Sequence, residues 1–402
     1  MSTDRSGSVV KERRARCAVC AGARLEVAIE LPKLPLTGIY SRSAVRDDLG
    51  GIDQALVICS DCSHAQLAER VTTSVLYGES YSFRTSASST ARAGTATFLA
   101  ALEEFAPGRR FECAVDLGCN DLYLLNQLRD RARARVGIDP VLAGSEHAGA
   151  GDGIRAVGAA VEDVDLREVA GCSPDLIVCR HTFEHIDDPQ AVLQQLVDVA
   201  AEDALFMFEV PGFEALVERL RFDQVFHQHL QYFSLRSFQR LLEGAGAVYR
   251  GHRENYHDWG AMIVAFAKRS GPPGAAAPAP RVADASGIRR RYAVFRQHLA
   301  AVNEALQSLD GTLYGYGAAQ MLPVLAYHLQ CDLSTLRAVL DDDPVKDGLH
   351  YANLPLVIRR ADTVADLEQA SVVITAVDSV VPILARLSSR RPRHLIYPLP
   401  VI

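Results

Sequence analysis

Two stretches of this chain carry histidines at spacings that could move a proton. In SPDLIVCRHTFEHIDDP, the apolar run Asp175 to Cys179 reads as a buried strand and leads into Arg180, His181 and His185; further on, FDQVFHQHLQYF carries His227, Gln228 and His229. A strand that ends in a polar loop sets such side chains at the mouth of a crevice. An imidazole placed there can take or give a proton near neutral pH, which is what activating a carbon or oxygen acid requires. If the second stretch is extended, alternation puts His227 and His229 on the same side. A helical HTFEH would bring His181 and His185 together, so a histidine metal site is a further option, although the HExxH order of zinc peptidases is absent. The plain alternative is that these are hydrogen-bonded core histidines.

Cysteines supply a second chemistry. Cys17 and Cys20 form one CxxC pair, and Cys59 and Cys62 form another. Two such knuckles can close a tetrahedral thiolate site around zinc, and four thiolates leave no open position, so the ion would be structural. The segment holding them has little apolar material of its own, so metal would supply much of its stability. Cys113, Cys119, Cys172, Cys179 and Cys331 sit among apolar neighbours and read as small core residues.

The stretch CAVDLGCNDLYLLNQL reads as a buried strand ending at Asp116, a tight turn with Gly118, Asn120 and Asp121, and a helix beginning near Asp121. A helix aimed at the crevice beyond a strand end is the ordinary place to hold a nucleotide-like ligand. Only one glycine stands in the turn, which argues against the pyrophosphate of a dinucleotide and hence against a nicotinamide-dependent oxidoreductase. The next strand, ARVGIDP, ends in Asp139 and Pro140, at the interval expected for a carboxylate that accepts ribose hydroxyls. S-adenosylmethionine (SAM) carries a ribose and no phosphate, and fits this pattern better than NAD. Glu162 follows a third strand and would fall near the adenine. The competing reading of these acids is that they cap helices.

The elements that position these groups follow from composition and pattern. With 402 residues, 49% hydrophobic and 23% charged, the chain has material for two or three cores and not for extended disorder. Strand and helix patterns alternate from Phe98 to Lys268, signalling a parallel sheet. SGPPGAAAPAP reads as a linker, and beyond it TLYGYG, LRAVLDDD, ASVVITAV and RHLIYPLP are candidate strands, with Met321 to Leu329 helical. The expected layout is a zinc-binding domain over 1–75, a Rossmann-like α/β SAM-binding core over 76–270, a linker over 271–281 and a smaller C-terminal Rossmann-like α/β domain over 282–402. No internal repeat is legible. The polar start, Met1 to Arg16, predicts neither a secretory signal nor a membrane span and so a cytoplasmic protein. A net charge of -7 argues against a nucleic-acid partner. The rival built on the basic run Lys11, Arg13, Arg14, Arg16 and Arg24 is a non-catalytic zinc and Rossmann protein that touches RNA.

Taken in order, CAVC, CSDC, LYGESYSFRTSAS, VDLGCND, VGIDP, RHTFEHIDDP, FEVPGFEALVERLRFDQVFHQHLQYFS, YGYGAA and DDDPVKDG resemble the sugar C-methyltransferase family across nearly the whole chain. That resemblance implies a zinc-binding N-terminal domain, a SAM-binding class I core and a C-terminal domain that helps enclose a nucleotide-sugar acceptor. It implies contacts to SAM from Gly118, Asn120, Asp121 and Asp139, with His229 as the base that forms an enolate, and Tyr81 and His181 orienting the acceptor. The chain departs from the family where Phe226 and Gln228 replace the tyrosine and glutamate of a YxEH order, where Phe83 follows Tyr81, where His257 to Ala261 replaces an HGGS-like stretch, and where Gln320 and Met321 stand in place of a lysine. A different acceptor, methylated on oxygen or nitrogen, is the alternative these departures raise.

Overall fold

The computed structural model describes residues 11–42, 51–71, 84–144, 153–255, 260–269, 279–365 and 367–401. Most of the expected linker, together with Tyr81, Phe83 and residues 257–259, lies outside them.

The N-terminal part is built on β1 (Lys11–Arg13), β2 (Leu25–Leu34), β3 (Tyr40–Ser41), β4 (Ile52–Cys59), β5 (Ala65–Leu67) and β6 (Glu69–Val71). The middle part follows with α1 (Ser89–Phe105), β7 (Phe111–Leu117), α2 (Tyr123–Gln127), β8 (Ala132–Ile138), β9 (Ile154–Val157), α3 (Leu166–Ala170), β10 (Leu176–Arg180), α4 (Pro189–Val199) and β11 (Leu205–Pro211). It continues through α5 (Phe213–Glu218), β12 (Gln231–Tyr232), α6 (Leu235–Gly244), β13 (Ala247–Asn255) and β14 (Ala261–Lys268). The seven-stranded sheet runs β13-β14-β11-β10-β7-β8-β9. β14 is antiparallel to both neighbours, and the strands from β11 to β9 are mutually parallel. The inner strands read as unbroken apolar runs because helices cover both faces; every residue of β11, and all of β10 except Arg180, is buried.

The C-terminal part comprises α7 (Ala285–Ser308), β15 (Leu313–Tyr316), α8 (Leu322–Leu329), β16 (Val339–Asp341), β17 (His350–Tyr351), β18 (Ile358–Arg360), β19 (Ser371–Ile374), α9 (Val380–Ser388) and β20 (His394–Ile396). Its five-stranded sheet runs β18-β16-β15-β19-β20, all parallel. In chain order that is 3-2-1-4-5, the order of the parallel strands β9-β8-β7-β10-β11. No repeat shows in the sequence, yet the structure contains one supersecondary plan twice: Gly118 after β7 and Gly317 after β15 both have positive φ, 70 and 93 degrees.

Two features join these parts. β12 leaves the middle part to complete a four-stranded antiparallel sheet, β12-β5-β4-β2. The long helix α7 buries Ile288, Phe295, Leu299 and Leu306 in one apolar cluster that also holds Leu31 and Leu56 of the N-terminal sheet, Phe222 and Tyr232 of the histidine segment, and Val339 of the C-terminal sheet. Fully buried aliphatic and aromatic side chains contribute about 1.5–3 kcal/mol each, so the histidine segment is held from several sides.

The remaining cysteines differ from expectation at one pair. Cys113 and Cys172 are joined as a disulfide, and Cys172 lies exposed in the loop before β10 instead of in a core. Cys119 and Cys179 are buried as expected.

Candidate active site

The carboxyl ends of β7, β8 and β10 meet at one crevice, as parallel sheets require. Gly118 follows β7 so close to Thr182 that a Cβ there would lie 1.8 Å from the threonine Oγ1. With φ at 70 degrees as well, only glycine fits without displacing the strand ends. Asp139 closes the turn: its Oδ2 accepts the Asn120 N–H at 2.8 Å and its Oδ1 accepts the Val141 N–H at 2.8 Å. Each carboxylate oxygen keeps a second lone pair, so these bonds leave it able to accept hydroxyls. Pro140 opens the short 3-10 turn that follows. Asp116 is buried beneath, and burial pushes its carboxyl up to about 8 against the pull of Arg180 and with the repulsion of Asp139.

Several expected cofactor residues have other partners. Asn120 and Asp121 accept the N–H groups of Thr85 and Ser86, at 3.1 and 2.9 Å, and so pin the segment that leads into α1. The expected helix at Asp121 starts only at Tyr123 and lasts five residues, because Asn120 and Leu122 are left-handed, at φ 49 and 62 degrees. Arg180 pairs with the fully buried Glu209, donates to Thr95 Oγ1 at 2.8 Å and lies over the Phe98 ring. Glu162 is exposed on the 3-10 turn after β9.

Beyond β10 the chain turns through His181, itself left-handed at φ 49 degrees. A non-glycine residue in that region carries strain and is common where a side chain must be aimed. The 3-10 turn Phe183–His185 then buries Glu184 to 1% exposure with neither carboxylate oxygen hydrogen-bonded. Imidazoles surround it: His181 Nδ1 lies 3.8 Å and His229 Nε2 3.9 Å from Glu184 Oε1, and the His185 and His229 rings are 5.0 Å apart. His185 Nδ1 donates to the Gln228 carbonyl at 2.7 Å. Burial works to raise the Glu184 carboxyl, but the His181 contact and the fields of His185 and His229 hold it down at about 2. Burial pushes His229 down to about 3, with His185 adding to the effect and Glu184 opposing it.

His227 is not beside His229. The His229 N–H donates to the Phe226 carbonyl at 3.1 Å, so this piece is a turn and not a strand. The His227 ring is buried and donates through Nε2 to the Leu34 carbonyl of β2 at 3.0 Å, while Gln228 Oε1 accepts from the Thr37 hydroxyl at 2.9 Å. His181 and His185 are legible in the sequence as histidines after a strand, whereas the signal for Glu184 is only a carboxylate inside a histidine motif; Thr182 and Thr37, set by the strand-end approach and by a contact distant in sequence, have no local signal.

The four cysteines come together as the spacing predicts. Cys17 Sγ and Cys62 Sγ are 3.6 Å apart, as are Cys20 Sγ and Cys59 Sγ. A tetrahedral zinc with bonds of about 2.3 Å needs sulfurs about 3.8 Å apart. The two knuckles share one turn: Ala21 N–H donates to the Cys17 carbonyl and Ser63 N–H to the Cys59 carbonyl, both at 2.9 Å, with Ala21 and Ser63 at φ 56 and 63 degrees. From the second knuckle, His64 bonds Gln231 at 2.9 Å and β5 pairs with β12, two residues beyond His229. The cysteine module thus sets the position of the histidine segment.

A separate cavity of about 650 Å³ lies between Arg84 to Thr90 and the carboxyl edge of the C-terminal sheet, lined there by Gly317, Asp341, Lys346 and Arg386. None of the clustered histidines lines it. Asp341 Oδ2 accepts the Ala318 N–H at 2.6 Å and its Oδ1 the Asp343 N–H at 2.9 Å, repeating what Asp139 does after β8.

A parallel 3-2-1-4-5 sheet extended by an antiparallel hairpin, with a glycine turn after the first strand and an acid after the second, defines a class I SAM-dependent methyltransferase core. Residues 90–250 match a family model described as a methyltransferase domain. C-methyltransferase NovU from Streptomyces niveus is 33% identical over 159 residues, which are 39% of this chain and 37% of that protein. The match therefore spans little more than a third of the relative's length. Among solved structures, N-methyltransferase NodS from Bradyrhizobium japonicum with S-adenosyl-L-homocysteine (SAH) covers 45% of this chain and 89% of its own at 11% identity and a TM-score of 0.36. A SAM-dependent methyltransferase from Clostridium acetobutylicum covers 44% and 92% at 12% identity, with the same TM-score. Among the described residues no helix is long and apolar enough to cross a membrane.

Proposed function

We propose that this protein moves the SAM methyl group to a carbon beside the keto group of a nucleotide-linked deoxysugar. The observation that carries this reading is the cluster of His181, Glu184 and His229 at the end of β10, next to the Gly118 turn. An imidazole of the cluster accepts the α-proton, the carbonyl becomes an enolate, and its carbon attacks the methyl as the sulfur–carbon bond breaks and SAH leaves. Glu184, which lacks a hydrogen-bond partner, supplies the countercharge to the imidazolium that forms. An enolate and a sulfonium attract as they approach, which lowers the barrier.

The name of the C-methyltransferase relative agrees with transfer to carbon. The cavity at the C-terminal sheet, beside a glycine turn, is the place for the nucleotide: Asp341 ends the second strand as an acid for ribose hydroxyls, and the lining sets Arg84, Lys346 and Arg386 among five aspartates, with Lys346 paired to Asp341 and Arg386 to Asp342. The four thiolates take a structural zinc. Cytoplasmic residence and a small-molecule partner, with no nucleic acid or membrane, complete the reading.

Deuterium exchange tests it. Incubated in D2O with SAH and a panel of nucleotide-linked keto-deoxysugars, the enzyme exchanges the α-proton of its acceptor, and with ¹³C-methyl SAM the product shows a carbon-bound methyl by NMR. A methyl found on oxygen or nitrogen, without exchange, would replace this reading with an O- or N-methyltransferase.

A further inference from the structure

The Glu184 carboxylate is the least satisfied polar group near the reaction centre: it is 1% exposed, and neither oxygen has a hydrogen-bond partner. Leaving an ionised carboxylate in that state is costly unless a proton or a cation joins it. His229 Nε2 stands 3.9 Å from its Oε1, too far for a hydrogen bond, and His181 Nδ1 stands 3.8 Å from the same oxygen. One nitrogen from each of His185 and His229 and one oxygen of Glu184 all lie within 4.8 Å of one another.

The His185 tautomer adds an independent observation. A carbonyl only accepts, so the bond at 2.7 Å to Gln228 places a proton on His185 Nδ1, and in the neutral ring Nε2 is then the lone-pair nitrogen. Metal-bound histidines have this arrangement as a rule: one ring nitrogen donates to a carbonyl, which sets the ring direction and strengthens the other as a ligand. Gln228 adjoins His229, so one turn orients both imidazoles.

We propose that Glu184, His185 and His229 form a second metal site, binding a divalent transition cation through one carboxylate oxygen and two imidazole nitrogens. Two imidazoles with one carboxylate favour zinc, cobalt, iron or manganese over magnesium or calcium. Three ligands leave positions open, in contrast to the closed four-cysteine site. The inference rests on the carbon-methylation reading: the acceptor's keto oxygen takes an open position, its α-proton passes to His181, the imidazole of the cluster that is not a ligand, and the enolate oxygen stays on the cation. The enolate carbon then takes the methyl as the sulfur–carbon bond breaks. His229 in this scheme is a ligand.

The experiment adds Co2+ alone to full-length protein whose cysteine site already holds zinc. One cobalt per chain is expected in addition to the zinc, with a visible ligand-field spectrum and no thiolate charge-transfer band. Glu184→Gln and His229→Gln should each weaken uptake at least tenfold while SAH binding, measured on the same samples, shows that they are folded. Absence of cobalt beyond the thiolate site in the unmutated protein, or uptake unchanged in both variants, would overturn the proposal. Exchange of the acceptor α-proton without any cobalt uptake would remove the metal and leave carbon methylation standing. Cobalt uptake lost in the variants, with no α-proton exchange by any sugar, would uphold the metal site and remove that reading.

Discussion

Replacing His229 by alanine is expected to lower turnover by at least about a hundredfold, because both enolisation by the imidazole cluster and the cation proposed between Glu184, His185 and His229 depend on this ring, while SAH affinity changes by less than a factor of two or so. The split follows from geography. His229 stands against Glu184 on the acceptor side of the crevice, whereas the Gly118 turn and Asp139 depend on β7 and β8. Losing the imidazole leaves the buried carboxylate with one neighbour fewer and no means to share the work of enolisation. Steady-state kinetics and calorimetry on one preparation check both halves; a variant that turns over normally would free the mechanism from this residue. His227→Ala is the instructive contrast, because that ring bonds the Leu34 carbonyl and its loss should appear in the melting temperature before kcat.

Stripping the four-thiolate zinc should have an effect of comparable size by a different route. Structural zinc binding is worth about 10–16 kcal/mol in small modules at neutral pH, more than most domains hold in reserve. Without it the two knuckles lose their tie, β5 loses its anchor, and β12 loses the strand that fixes the His229 turn. The expected outcome of chelation is a lower first melting transition and loss of turnover, with SAH binding to the seven-stranded sheet largely kept. Elemental analysis confirms removal, and full activity in zinc-free protein would mean that the module does not position the site. Cys59→Ser should reproduce the chelated state.

How much of this was legible in the sequence depends on the range of each interaction. Spacing alone paired Cys17 and Cys20 with Cys59 and Cys62, because CxxC knuckles carry their geometry locally. The inner strands β7, β8 and β10 were legible as apolar runs, and Asp139 as the acid at the end of the second. Short edge strands such as Ile358–Arg360, three residues long with two of them exposed, have no such pattern. The 3-2-1-4-5 plan shared by the two parallel sheets left no repeat in the residues, since the plan is kept by strand order and by one glycine, not by side-chain identity. The extended reading of FHQH failed because a turn bond from His229 to Phe226 and a long-range bond from His227 to Leu34 override alternation. The contacts to SAM from Asn120 and Asp121 are implied by the family resemblance, and nothing local shows that their side chains also hold the N–H groups of Thr85 and Ser86. Glu184 is the sharpest case: inside HTFEH it looks like a surface acid, and only the fold shows it buried amid imidazoles.

Calorimetric titration of zinc-loaded, full-length protein with SAH tests the central claim most directly. The account predicts one saturable site per chain, weakened at least tenfold by Asp139→Ala, whose carboxylate closes the Gly118 turn. Folded, zinc-loaded protein that binds neither SAH nor SAM would contradict it.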